Sequence, residues 1–247
     1  MNKKKIINLL RTDVRAFNKW REENPKAIID VSNSDLSSMD LSWANFYMAN
    51  LSGANLSSSD LFKSNFSYAD LSRSNLSDAD SQWANFYMAN FSYVKMHNAN
   101  FSDSYFRGVN FSCACINGSN FSDANLRKAN FSESSACGVN FSSSNLRDAN
   151  FYLTDLRKSN FKGSNFYDVR LIGAKYDFIF LKNKYDIFIH VDWMQIGYES
   201  YSIHDWYSFS DDDIINEMGD GMFDWWKENK TKIFNIIERK GLYVVRQ

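Results

Sequence analysis

The chain is poor in the residues that interrupt regular structure, with one proline and ten glycines among 247 residues. Its middle is rich in serine and asparagine, yet aromatic side chains make up 17% of the whole. Disordered segments contain few aromatic residues and are enriched in proline and glycine. The sequence therefore predicts a regular fold, and not a linker, for its polar middle.

Long apolar runs and metal-binding patterns are also lacking. No stretch reaches the roughly 18 apolar residues that span a bilayer, and residues 1–10 hold too short an apolar run for a secretory signal. The three cysteines, Cys113, Cys115 and Cys137, cannot all pair internally. None of them stands at zinc-binding spacing from the three histidines, which are His97, His190 and His204. We expect a cytoplasmic protein with reduced thiols and without cofactor, metal or membrane partner.

The net charge of −1 conceals a strong segregation of charge along the chain. Residues 1–30 carry eight basic and four acidic side chains, residues 31–175 carry twelve of each, and residues 176–247 carry eight and thirteen. Within the middle, residues 31–90 have two basic and six acidic side chains, whereas residues 91–175 have ten and six. The middle is thus negative where it begins and positive where it ends.

A repeat of five residues runs through the middle of the chain. Leucine or phenylalanine occupies most of the 29 positions reached in steps of five from Val31 to Leu171. A small residue stands two positions before nearly all of these centres and Asn or Asp one position before most of them, as in Ala44-Asn45-Phe46. Because a period of five fits neither an α-helix nor a strand, the chain must turn once in each block.

Four such blocks would close a square coil of about 20 residues, stacked on its neighbours at the strand spacing of about 4.8 Å. Large centres would fill the axis, and Asn or Asp side chains would bond the backbone at the corners. The motif resembles the A(D/N)Lxx pattern of the pentapeptide-repeat family over about 60% of the chain. The resemblance implies an all-β fold, a right-handed, four-sided parallel β-solenoid of about seven coils.

Several blocks depart from this motif. Ser81 and Ala136 replace large centres, and other residues replace Asn or Asp at Lys95, Tyr105, Cys115, Ser135 and Arg170. Most departures fall between residues 95 and 136, where we predict a local loosening or bulge, with a partner-facing irregularity as the alternative.

The sequence at both ends of the chain predicts domains that cap the solenoid. We divide the chain into residues 1–30, 31–175 and 176–247, of which the middle range is the solenoid. One apolar stripe predicts a capping helix from Asn8 to Glu23, stopped by Pro25. The stretch from residue 16 to residue 25 resembles the leader of bacterial and phage pentapeptide-repeat proteins. The aromatic tail resembles one found on some members of the family.

The tail predicts a small α+β capping or interaction domain. We expect strands at residues 178–181, 187–191 and 194–198, a helix from Ser210 through Met218, and a second helix from Phe223 to Arg239, ended by Gly241. Its aromatic residues predict a small core or a homodimer surface.

One side of the predicted coil presents a distinct set of side chains. Residues 20 apart share a column, and the octapeptide Trp43–Asn50 recurs unchanged as Trp83–Asn90, two coils further on. Lys63 falls between the two tryptophans, where a cation–π contact would contribute about 0.5 to 1 kcal/mol. Trp, Tyr and Arg are enriched in protein interfaces. We predict a partner-binding surface, the contact face, made of Trp43, Tyr47, Lys63, Tyr68, Trp83, Tyr87, Arg107, Arg127, Lys128 and Arg147.

The arginine column within this face has two explanations. Three arginines stacked at about 5 Å repel one another unless an anion meets them. Asp103 and Asp123, on the neighbouring side, would supply that anion within the chain. The alternative is that the aromatic residues and the arginines form one continuous surface for a partner. The serine-rich columns on the other sides predict a solvated wall.

Catalytic motifs are lacking, since no phosphate loop, nucleotide fingerprint or nucleophile elbow occurs. An active site around His204, Asp205 and Asp211 is the enzyme alternative. The run Asp211-Asp212-Asp213, however, begins a predicted helix, where acidic side chains favour the helix dipole. We therefore predict no enzyme and no small-molecule substrate.

Two kinds of binding function stay open. Family members of the quinolone-resistance type resemble a DNA duplex in size and negative charge and bind DNA gyrase. Here only residues 31–90 and the acidic tail could imitate phosphate, because the middle as a whole is neutral. We favour a protein-binding scaffold or inhibitor, phage-linked in view of its tail, with DNA mimicry and gyrase binding as the alternative. Direct nucleic-acid binding by the arginine column is electrostatically allowed but offers only a narrow strip.

Overall fold

The computed structural model describes residues 1–190, 193–197 and 199–240, apart from the side chains of residues 217, 218 and 220. It contains two compact units, Met1–Tyr176 and Asp177–Gln247. The repeats lie in the first unit, and a small sheet with three helices lies in the second. Across the described part of the chain, no helix combines the length and the apolar composition needed to cross a membrane.

The repeats form a parallel β-solenoid in which every bridge joins residues 20 positions apart. The bridges continue in steps of five from Asp30↔Asn50 to Asp155↔Lys175. Backbone N–H groups of one coil donate to carbonyls of the next, as from Phe46 to Asn65 at 2.7 Å. The predicted coil of four blocks is therefore confirmed.

The centres of the blocks fill the axis of the solenoid. Phe46, Phe66, Phe86 and Phe106 stack in one column, with ring centroids 4.8, 5.2 and 4.7 Å apart. All four are fully buried, and so are small residues beside them such as Ala44. The apolar core is therefore continuous along the axis, and each coil packs on the next through rings in contact.

The two residues after each centre form an outward turn. The second of them has a positive φ in all 29 blocks, and only six of these residues are glycine. The N–H of the next small residue donates to the carbonyl of the centre, as from Ala44 to Leu41 at 3.0 Å. This is the β-turn pattern with positive φ at its third residue. It directs two side chains per block away from the axis.

The Asn or Asp before each centre fixes the corner. Oδ1 of Asn120 accepts the N–H of Ser122 at 3.1 Å, and Nδ2 of Asn120 donates to Asn100 one coil earlier at 3.0 Å. Nδ2 of Asn140 in turn donates to Asn120 at 2.9 Å. The predicted bonds to the backbone are confirmed, and side-chain bonds between coils add to them.

The predicted loosening between residues 95 and 136 is wrong, because the β-bridges between successive coils continue through Cys115 and Ser135. Ser135 cannot supply the corner amide, and Asn117 of the preceding coil replaces it. Oδ1 of Asn117 accepts the N–H of Cys137 at 2.8 Å and the hydroxyl of Ser135 at 2.9 Å. A neighbouring coil thus satisfies the groups that the substitution leaves without a partner.

Two helices, and not the single predicted one, precede the solenoid. They are α1 (Lys3–Thr12) and α2 (Val14–Glu23). Asp13 separates them, because its side chain accepts the Ala16 N–H and so caps α2 at 3.0 Å. Phe17 of α2 is fully buried and packs on Phe46 with ring centroids 5.6 Å apart. The helix therefore covers the first coil.

The second unit contains a four-stranded antiparallel sheet in the order β1-β2-β3-β4. Its strands are β1 (Ile179–Leu181), β2 (Ile187–Ile189), β3 (Trp193–Ile196) and β4 (Glu199–Ser202). Three helices follow, α3 (Ile203–Ser208), α4 (Asp211–Met218) and α5 (Asp220–Arg239). The sequence predicted the first three strands and the last two helices, but it missed β4 and α3. Val191, Tyr198 and Gly241 of the predicted elements lie outside the described residues.

The core of this second unit is centred on Trp206. Its indole is fully buried, and its Nε1 donates to the carbonyl of Met194 at 2.6 Å. Trp226 of α5 packs on it with centroids 5.1 Å apart. The predicted aromatic core is therefore present.

Candidate functional site

The residues of the contact face stand on the outward turns of two neighbouring sides of the solenoid. Trp43, Lys63 and Trp83 are the positive-φ residues of their turns and share one column. The two indoles are 59% and 56% exposed, and Tyr68 on the next side is 48% exposed. Met48 and Met88 beside them are exposed as well. Large apolar side chains are thus held outward by the same turns that bury the centres.

Four tyrosines form a ladder of ring contacts along this surface, called the tyrosine ladder below. The ring centroids of Tyr47 and Tyr68 are 6.0 Å apart, those of Tyr68 and Tyr87 are 5.3 Å apart, and those of Tyr87 and Tyr105 are 6.1 Å apart. Desolvation raises the pKa of the Tyr68 phenol, and the neighbouring phenols of Tyr87 and Tyr47 raise it further. The five-residue pattern did not indicate Tyr105 as part of this surface, because Tyr105 occupies a position that usually holds Asn.

The predicted cation–π contact is present. Nζ of Lys63 lies 4.9 Å from the ring centroid of Trp43 and 5.1 Å from that of Phe62. Phe62 also meets the indole edge-on, with centroids 6.3 Å apart. Phe62 was not among the predicted site residues, although it shares a turn with Lys63. Together these contacts fix the orientation of the Trp43 indole.

The anion that meets the arginine column is Asp148, so the prediction of Asp103 and Asp123 is wrong. Oδ2 of Asp148 lies 3.5 Å from Nε of Arg127 and 3.8 Å from Nε of Arg147. Asp148 follows Arg147 on the same turn. Its carboxylate therefore lies on the same side of the solenoid as the arginine column. The guanidinium of Arg147 also lies 4.8 Å from the ring centroid of Tyr167.

Arg107 differs from the other two arginines, because no ion pair is found for it among residues 1–190. Lys128 is exposed beside Arg127. The column therefore keeps a positive charge after Asp148 is counted, at the end of the face next to the tyrosine ladder.

The serine columns on the other sides are less open to solvent than predicted. Ser52 is half-buried, and its hydroxyl donates to Oδ1 of Asn50 at 2.7 Å. Ser77 makes the same bond to Asn75 at 2.8 Å. These hydroxyls are used within their own turns, so they offer a partner little that is specific.

A pair of side chains from different coils was missed by the sequence analysis. Sγ of Cys115 lies 3.5 Å from Nε2 of His97, and Nδ2 of Asn117 donates to the same sulfur at 3.5 Å. Cys115 and His97 are 18 positions apart in the sequence, and they therefore lie on successive coils of 20 residues. In the described part of the chain no three His, Cys, Asp or Glu side chains converge as a metal site would require.

Two acidic residues at or beside the site of the enzyme alternative close helix caps. Asp205, which belongs to that alternative, closes a capping box with Ser202. Asp213, in the same acidic run as Asp211, closes one with Ser210. Hydrogen bonds from the hydroxyl and the backbone N–H of Ser210 lower the pKa of Asp213. Their bonding is therefore that of helix caps.

The geometry of the first unit, a parallel solenoid of five-residue turns, defines the class of protein. The family model for pentapeptide repeats matches residues 40–78, 84–123 and 124–163, with eight copies. The chain belongs to the pentapeptide-repeat family.

Solved structures similar to this chain include those of HetL, QnrB1 and a protein of Arabidopsis thaliana. HetL, involved in heterocyst differentiation regulation in the cyanobacterium Nostoc sp. strain PCC 7120, is 23% identical over 59% of this chain and 75% of its own, with a TM-score of 0.27. Full-length QnrB1, a plasmid-mediated fluoroquinolone resistance protein, is 23% identical over 61% and 84%, with a TM-score of 0.31. A protein from the Arabidopsis thaliana thylakoid lumen is 25% identical over 57% and 68%, with a TM-score of 0.22. No curated protein matches the chain.

Proposed function

We propose that this protein is a non-enzymatic scaffold or inhibitor that binds another protein through the contact face, in a phage-linked role. The observation that carries the proposal is the continuous strip formed by exposed aromatic side chains and the arginine column. Aromatic and arginine side chains supply most of the binding energy in protein interfaces. The proposed solenoid is right-handed and has about seven coils of 20 residues.

The proposal predicts that a protein partner captured from a bacterial lysate is lost when either half of the contact face is removed. One variant carries Tyr68→Ala and Trp83→Ala, and a second carries alanine at Arg107, Arg127 and Arg147. Truncation of a central aromatic or arginine anchor costs about 2 kcal/mol or more, which is roughly a 30-fold loss of affinity. The measurement is affinity capture with the full chain, read by quantitative mass spectrometry.

A matched control variant carries Tyr93→Ala and Arg73→Ala. These two residues form a cation–π pair on another side, with 5.5 Å between guanidinium and ring centroid. The control is expected to capture the partner as wild type does. A partner that is retained by both contact-face variants but lost by the control would show that the binding surface lies elsewhere.

The second candidate function is DNA mimicry with gyrase as the target. Asp40, Asp60 and Asp80 occupy equivalent positions in successive coils, and all three are exposed. Hydrogen bonds from the hydroxyl and the N–H of Ser42 lower the pKa of Asp40, so this carboxylate stays charged. A column of carboxylates at about 4.8 Å spacing is the feature of the chain that comes nearest to a row of phosphates.

This candidate predicts that micromolar protein inhibits supercoiling by purified gyrase. Triple replacement of Asp40, Asp60 and Asp80 by asparagine should then abolish the inhibition, because the negative column is lost without a change in side-chain size. Supercoiling of a relaxed plasmid is read on an agarose gel. Full supercoiling in the presence of micromolar wild-type protein would eliminate gyrase as the target.

A further inference from the structure

The octapeptide repeated in the contact face presents the same side chains twice along the solenoid axis. Trp43, Tyr47 and Met48 reappear as Trp83, Tyr87 and Met88 two coils later. Two strand spacings of about 4.8 Å separate the copies by about 9.6 Å. A ligand that meets both copies in the same way must itself repeat after nearly this distance.

Among regular polypeptide conformations, the polyproline II helix fits this distance. Three of its residues, one full turn, advance about 9.3 Å. Two turns of an α-helix advance about 10.8 Å, and two residues of a strand advance about 6.8 Å. A polyproline II segment lying along the axis would therefore bring every third residue to an equivalent indole.

The chemistry of the surface suits the same ligand. Proline-rich segments bind grooves lined with aromatic side chains, and their low conformational freedom limits the entropy lost on binding. Their carbonyls accept no internal hydrogen bonds and proline offers no N–H. Tyrosine hydroxyls and indole N–H groups carry donors at the edges of rings on which prolines can pack. Tyr47, Tyr68, Tyr87 and Tyr105 place such rings 5.3 to 6.1 Å apart along the axis.

The negative charge beside these rings specifies the chemistry of one end of the ligand. Asp40, Asp60 and Asp80 are exposed at the corner that precedes the tryptophan column. Lys63, the basic side chain in that column, is laid over Trp43. Arg107 stands one coil beyond Tyr87, so the carboxylates set the charge only at the end of the rings that lies beside residues 40–80. A strand of nucleic acid could stack on the same rings, but its phosphates would be repelled by the carboxylates. Arginine or lysine next to the prolines would be attracted.

We propose that the aromatic half of the contact face binds a basic, proline-rich segment of the partner in the polyproline II conformation, between the tryptophan column and the tyrosine ladder and with its basic end away from the arginine column. This inference rests on the proposed function and names the chemistry of the partner. Its probe is a fluorescein-labelled peptide of two arginines followed by nine prolines, titrated with the full-length protein and followed by fluorescence anisotropy.

Saturable binding is expected, and Trp83→Ala together with Tyr87→Ala should weaken it at least tenfold. The exposed Tyr93 on another side provides the matched control, and Tyr93→Ala should leave the affinity within twofold. Two glutamates in place of the two arginines should weaken binding severalfold, and more so at low salt. Circular dichroism of the two variants checks that the solenoid is intact.

Three results would overturn the inference. They are no binding at about 1 mM protein, equal binding of a peptide in which glycine and serine replace the prolines, and tighter binding of an oligothymidylate to the same residues. The capture experiment separates these failures from failure of the proposed function. If the peptide fails while the Tyr68→Ala, Trp83→Ala variant still loses its protein partner, the face binds a protein of another chemistry.

Discussion

Replacing Phe106 with alanine is expected to destabilise the solenoid by about 3 to 5 kcal/mol, the usual cost of a Phe-to-Ala change in a core. The Phe106 ring is fully buried and stacks on Phe86 with centroids 4.7 Å apart. It also meets Phe101 and Phe121 at 5.4 and 5.3 Å. Coils contact only their neighbours, so the cavity should weaken the solenoid most strongly near residue 106.

Hydrogen exchange followed by mass spectrometry measures this effect in the full chain, because it assigns the loss of protection to particular coils. Peptides from the coils on both sides of residue 106 should exchange faster, while peptides from α5 should not change. Tyr93→Ala is the control, since the ring is 57% exposed and surface substitutions usually change stability by less than about 0.5 kcal/mol. Equal protection in Phe106→Ala and Tyr93→Ala would show that the ring column does not hold the coils together.

The coil could be predicted from the sequence because every block carries the same information. A large centre, a small residue two positions earlier and an amide one position earlier specify the inside, the outside and the corner of each turn. A substitution such as Ser135 changes one of these signals, and it misled the prediction because Asn117 in another coil compensates for it. Compensation across coils depends on how side chains are oriented, which a five-residue pattern does not contain.

The contact face could be assigned to a side of the coil for the same reason, but its electrostatics could not. Columns follow directly from the 20-residue period, whereas ion pairs depend on the direction in which a side chain leaves its turn. Asp148 adjoins Arg147 in the sequence and was overlooked, although the adjacent residues Arg127 and Lys128 had been assigned to one face. On these turns both outward residues leave the same side.

The ends of the chain were predicted less well, since they carry no repeat. Asp13 ends α1 and begins α2, and its position before Val14 was a signal for a new helix that the continuous apolar stripe obscured. The capping box of Ser202 and Asp205 was a similar signal for α3. In both places a local helix-capping signal determined where a helix begins, and the longer apolar pattern did not.

The side chains of α2 take the place of a coil before the first one. In later coils the N–H of the corner residue donates to a carbonyl of the preceding coil, as from Asn65 to Ala44 at 2.9 Å. For Asn45 that acceptor is Oδ1 of Asn18, at 2.9 Å. Nδ2 of Asn18 also donates to the Trp43 carbonyl at 2.9 Å. The edge of the solenoid is thereby closed to other strands.

Arg21 completes this closure with a buried guanidinium. Its two terminal nitrogens donate to the carbonyls of Ala27 and Tyr47 at 2.9 and 2.8 Å. Burial lowers the pKa of Arg21, but arginine has so basic a side chain that it stays charged near neutral pH. Each buried carbonyl left without its donor would cost about 1 to 3 kcal/mol.

Replacement of both Asn18 and Arg21 by alanine is therefore expected to lower the thermal midpoint of the first unit and to cause self-association. An uncovered row of backbone N–H and C=O groups pairs readily with the same row of another molecule. Light scattering coupled to size exclusion, over a series of concentrations, should detect dimers and larger species. Arg15→Ala is the control, because Arg15 is exposed on the same helix and its removal leaves the edge covered. If the double variant and the control keep the same mass at every concentration, the hydrogen bonds of Asn18 and Arg21 are not what keeps the solenoid edge from pairing, and Phe17, buried on the same helix, becomes the residue to replace.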